Sequence, residues 1–159
     1  MTTEKREMLR HTVATLAYRA AKVLRDAPPD FATFRSAETT RTPGQILAHL
    51  GDLFDWALSI AEGRQAWSDS KPLGWEQSVD RFFLALGKFD AYLAGGEQLH
   101  ASEENLFQGP VADALTHVGQ IGILRRIAGA PIRGENYFVA DIEVGSVRAN
   151  QKAPRQEFD

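Results

Sequence analysis

Gln108-Gly-Pro-Val-Ala-Asp-Ala-Leu-Thr-His-Val-Gly-Gln-Ile-Gly-Ile-Leu-Arg-Arg-Ile-Ala-Gly-Ala130 is the stretch whose reading decides the fold. Pro110 suits a first helical turn, where its missing N–H has no partner to lose. Gly129 followed by Pro131 is a stop signal. The spacing therefore predicts a helix over 110–128. Asp113 and His117 are four apart and stack on one face. Gln120, Leu124 and Ile127 continue that stripe. Two metal-capable side chains at this spacing, on an otherwise apolar helix of small residues, require an explanation.

Three further helices are predicted around this one. Leu9, Val13, Leu16, Ala20 and Val23 recur at helical spacing and predict a helix over 3–26. Glu4 and Glu7 at its start and Lys22 and Arg25 at its end suit the helix dipole. Thr42-Pro-Gly-Gln45 opens a second helix, over 42–61. Thr42 is the N-cap, Pro43 takes the first helical position and Gln45 completes a capping box. Ile46, Leu50, Leu53, Ala57 and Ile60 mark its buried face, and His49 falls inside that face. Trp75, Val79, Phe82, Phe83, Leu86, Phe89 and Leu93 predict a third helix over 75–94, which packs core and offers no ligand. Residues 28–41 connect the first two helices, with Phe31 and Phe34 as anchors. Residues 62–74 and 95–109 read as loops, and no chemistry attaches to Trp67. After Gly129 the helical period disappears. Residues 131–142 read as extended, with Glu135, Asn136 and Tyr137 placed to fold over the end of the helices. Ala149 to Asp159 is polar and expected to fray.

The whole is expected to be all-α, a four-helix bundle over 1–145 with a short extended C-terminal tail over 146–159. Composition sets the remaining bounds. At 159 residues one domain with a real core is expected. The net charge of −3 gives no reason to expect nucleic acid or an anionic membrane as a partner. With no cysteine there is no disulfide, thiolate metal site or cysteine nucleophile. Met1 to Glu7 has no apolar signal core and no run approaches a membrane span, so the expected compartment is the cytoplasm.

Bundles place metal sites in the core, between facing helices. His49 of the second helix with Asp113 and His117 of the fourth would supply two imidazoles and a carboxylate. Three protein ligands leave positions for water or substrate, the pattern of a catalytic rather than a structural site. Each residue also has a plainer reading. His49 is either a satisfied core histidine or a ligand, and Asp113 either caps its helix, faces solvent or binds a cation. His11 reads as a surface histidine and His100 as solvated in its loop.

The order of a second-helix histidine, then a carboxylate or histidine four before a histidine followed by x-Gly-Gln, resembles the DinB-like superfamily of bacterial four-helix bundles. The segments that carry the resemblance are Arg41-Thr-Pro-Gly-Gln-Ile-Leu-Ala-His49-Leu and Asp113-Ala-Leu-Thr-His117-Val-Gly-Gln-Ile. The resemblance implies an up-down-down-up bundle holding a divalent metal on three histidines. It further implies transfer or isomerisation chemistry with a low-molecular-weight thiol, and a homodimer is common among look-alikes. His49 and His117 match ligand positions, whereas Asp113 stands where many members have histidine. A carboxylate there shifts preference from zinc toward harder ions such as nickel, manganese or iron. Two functions follow as expectations: a metal-dependent transferase, isomerase or hydrolase acting on a small molecule, or a non-catalytic stress-related bundle with a vestigial site.

Overall fold

A computed structural model of the chain describes residues 2–158; Met1 and Asp159, the outer ends of the expected bundle and tail, lie outside the described residues. The chain is predominantly helical, with a two-stranded sheet as its only ladder among the described residues. Helix α1 spans Glu4–Leu24, α2 Pro43–Ala61 and α3 Trp75–Gly95. A short α4, Glu103–Leu106, runs through a π-helical turn, Phe107–Val111, into α5, Ala112–Ile127. Helices α1 and α2 each pack against both α3 and α5. Among the described residues no helix is long and apolar enough to cross a membrane.

The expected caps form. Thr42 Oγ1 accepts from Gln45 N–H at 3.1 Å, and Gln45 Oε1 accepts from Thr42 N–H at 2.9 Å, a complete capping box. At the other end of the site helix, Gly129 has φ +79°, which a side chain would resist. Its N–H bonds Arg126 O at 3.1 Å and the Ala130 N–H bonds Arg125 O at 2.9 Å. This pair of bonds is a Schellman motif, and it closes α5 where the glycine signal predicts.

The predicted start of that last helix is corrected. Pro110 is not a first-turn residue; it lies inside a continuous helical stretch that begins at Glu103. Ser102 caps it, with Oγ accepting from Asn105 N–H at 3.1 Å. Proline in a regular α-turn removes a donor and crowds the carbonyl four residues back. The wider π turn absorbs this, and the Ala112 N–H reaches the Phe107 carbonyl, five residues back.

The C-terminal segment is also more ordered than expected. Gly134–Glu135 (β1) pairs antiparallel with Glu157–Phe158 (β2). Beneath this pair lies a buried polar cluster. Lys22 Nζ donates to Glu135 Oε1 at 2.7 Å and to Glu157 Oε2 at 2.9 Å, and the Tyr18 hydroxyl donates to the other Glu135 oxygen. Burial, then the bond to Glu135, pushes the Tyr18 phenol well above its ordinary range. Glu135 thus fastens the chain end to α1 and is remote in role from the histidines. Phe31 is the expected anchor, buried and edge-on to Trp75 at 5.6 Å between ring centres.

The core holds Val13, Leu16, Leu50, Phe54, Phe82, Leu86, Phe89 and Ile121, all fully buried. On α5 the buried face is Ala114, Val118, Ile121 and Leu124. The stripe through Asp113, His117, Gln120 and Ile127 is therefore offset from the core and opens on a cleft.

Candidate metal centre

Helices α2 and α5 bring three chosen side chains together. Asp113 Oδ2 lies 3.5 Å from His49 Nε2 and 3.3 Å from His117 Nε2. The two imidazole rings meet edge to face, 4.7 Å between centres. One donor atom from each residue lies within 4.8 Å of the others, so the group could hold a metal ion. His11 and His100 are exposed and take no part.

The donor set fits a cation. Gln120 Oε1 stands 2.8 Å from His117 Nδ1, one helical turn on. An amide oxygen only accepts, so this contact favours the tautomer with the proton on Nδ1 and the Nε2 lone pair toward Asp113. A lone pair and a carboxylate oxygen 3.3 Å apart repel unless a proton or metal ion lies between them. With bonds of about 2.1 Å, adjacent donors stand about 3.4 Å apart around a tetrahedral ion and about 3.0 Å around an octahedral one. The observed 3.3 and 3.5 Å lie close to the first value. Burial, then the neighbouring His117 and Arg41, hold the His49 imidazole below the usual histidine range against the opposing pull of Asp113. That favours the neutral form, the form that ligates.

The site is not in the core, as bundles in general led us to expect. The His49 and His117 side chains are 20% and 13% exposed, and Asp113 is 47% exposed. The carboxylate can stand at a rim because water reaches it there, which removes the cost of full burial. The histidines open onto a cleft of about 800 Å³ between α2, α5 and the 36–41 connection. Ile46, Ile123, Leu124 and Ile127 form its apolar wall, and Thr40, Arg41, Thr116 and Gln120 add polar groups.

Two neighbours of His49 were missed in the sequence. Trp67 packs its ring edge-on to His49 at 5.6 Å and to Trp56 at 5.7 Å. Its segment is held down by Asp52, one turn beyond His49. The Asp52 carboxylate is buried and accepts from Ser70 N–H at 2.8 Å, Ser70 Oγ at 2.7 Å and Arg81 Nη2 at 2.6 Å. A polar loop with one tryptophan gives no periodicity to read. The only available signal was Asp52 itself, a charge at the edge of an apolar face. Gln120 was legible as i+3 from His117.

No family model matches the chain, and neither a curated protein nor a solved structure is significantly similar to it.

Proposed function

We propose that the protein is a divalent-metal-dependent enzyme acting on a small molecule, with His49, Asp113 and His117 as the metal ligands. The observation that carries this is the convergence of three donors from two helices beside an open cleft. A site closed by four protein ligands would be structural, whereas three ligands leave room for water or substrate. The bound ion would supply a Lewis acid that polarises a carbonyl or activates a water or thiol. Gln120 orients His117, Trp67 covers one edge of His49, and the cleft receives the substrate. Two imidazoles and a carboxylate suit nickel, manganese or iron as well as zinc.

We assign the fold to the four-helix bundles of the DinB-like superfamily, in up-down-down-up order. Side-chain pairings support that order. Arg81, in the first half of α3, bonds Ala48 O, early in α2, and Asp52 at its midpoint, while His100 N–H, beyond α3, bonds Ala61 O at the end of α2. That fits α2 and α3 running the same way. Arg125 bonds Val23 O and Arg25 O, which aligns the ends of α5 and α1. Arg10, early in α1, pairs with Asp90, late in α3, as opposed helices would. The same superfamily reading supplies a low-molecular-weight thiol as co-substrate and a cytoplasmic setting.

The test is metal content of protein purified without a metal-affinity step. A single divalent ion per chain, lost in His49→Ala, is the expected result. Equal uptake by both proteins, or none by the wild type, would sink the assignment.

A further inference from the structure

The cleft beside the histidines carries one permanent charge in its lining, and it is a cation. Arg41 lies between the 36–40 turn and the N-terminus of α2. It borders the large cleft and also a smaller groove of about 290 Å³ on the other side of His49. Among the described residues Arg41 makes no hydrogen bond and no ion pair. Asp52 is engaged by Ser70 and Arg81, Asp55 by Arg81, and Asp69 by the Trp67 indole N–H at 3.1 Å. Asp113 faces the two histidines. In the same lining Ile123 and Ile127 remain 57% and 56% exposed. Two large exposed aliphatic side chains and a guanidinium without a partner thus share one lining.

We propose that this cleft binds an amphipathic organic carboxylate, its head on the Arg41 guanidinium and its apolar chain along Ile46, Ile123, Leu124 and Ile127. The inference names a substrate class for the site and, as to catalysis, rests on the metal reading above. Guanidinium geometry matches a carboxylate in a bidentate fork. The apolar wall adds transfer free energy in proportion to the area covered. A bound divalent ion would add positive charge at the same end of the cleft and favour the same polarity of ligand.

The test is calorimetric titration of chelator-treated, metal-free full-length protein with octanoate, octyl phosphate and 1-octanol. Binding by octanoate is expected, with 1-octanol weaker by about tenfold or more, the ordinary worth of a charge-assisted bond. Arg41→Gln should weaken octanoate by a similar factor and leave 1-octanol unchanged. Arg41 is exposed and outside the helices, so this variant does not threaten folding. Ile123→Gln should weaken all ligands that bind. No octanoate binding at millimolar concentration, equal binding by Arg41→Gln, or 1-octanol binding as tightly as octanoate would overturn the proposal. Octyl phosphate binding well above octanoate would overturn the carboxylate assignment. Because no metal is present, these outcomes are independent of metal uptake by the same preparation.

Discussion

Gln120 stands 2.8 Å from the His117 ring, which makes it a sharper probe than the three candidate ligands themselves. Removing the amide oxygen frees the ring to rotate and to carry its proton on Nε2, where it blocks ligation. Gln120→Ala should therefore weaken metal binding by about 10- to 100-fold, read by competition with a chromophoric chelator. Gln120→Glu keeps an acceptor at the same reach and should retain most of the affinity. If Gln120→Ala bound metal as tightly as the wild type, the hydrogen bond would have no role in ligation. Acid should act on the same site. Protons compete with the ion for His49, so affinity should be level above the ordinary histidine range and fall by up to about tenfold per pH unit as pH drops below about 6.5. Burial already holds His49 below that range, so His49 surrenders to protons later than an ordinary histidine would. Affinity that stayed constant from about pH 8 to about pH 5 would exclude imidazole ligands. Among single residues, the three candidate ligands were legible because helical spacing and an apolar face single them out, and the structure brings them together. Arg41 and Trp67 were not, because their importance lies in what a loop leaves beside His49.

Helix ends were the most legible elements. Thr42 with Gln45, and Gly129 with Pro131, each signal a terminus through local chemistry, and the structure uses both. Thr42→Ala should cost about 0.5–2 kcal/mol, measured by denaturant unfolding, since it orphans the Gln45 N–H and unsettles the turn that carries Arg41 and precedes His49. No change in the unfolding midpoint would mean that the cap contributes nothing. The start of the last helical stretch was misread for an equally local reason. Ser102-Glu-Glu-Asn105 is itself a start signal, with a serine cap and acidic residues at the positive end of the dipole. Gly109-Pro110 overrode it in the sequence because both residues disfavour a regular helix. The chain resolves the conflict by widening a single turn, and buried Leu106, Pro110 and Val111 hold that turn against the rest of the molecule. Asp113 lies two residues past the π turn, so the extra residue in that turn shifts the register in which its carboxylate is presented.

At the scale of the molecule, two clasps tie sequence-distant segments together, and they differ in kind. The first is the Lys22–Glu135 pair, with side chains 6% and 0% exposed. Lys22→Ala would leave Glu135 buried with only the Tyr18 hydroxyl as partner, a loss of about 3–5 kcal/mol for an uncompensated buried charge. Denaturant unfolding should show it, and a loss below about 1 kcal/mol would mean that water or the β1–β2 pair relaxes to serve the carboxylate. The second clasp is conditional. His49 belongs to α2 and the Asp113–His117 pair to α5, so an ion held by all three joins helices that are separated by the whole of α3 in the chain. An ion bound only by the folded chain stabilises it by mass action, about 2.7 kcal/mol at a hundredfold excess over Kd. For a chain of this length about 1 kcal/mol moves Tm by roughly 2–4 °C. Nickel or manganese at that excess should therefore raise Tm by about 5–11 °C, reversibly on adding chelator. His49→Ala should respond far less, because the ion would then touch α5 alone. A Tm that rises equally in wild type and His49→Ala would place the ion elsewhere, and one that does not move at all would show that α2 and α5 share no ion.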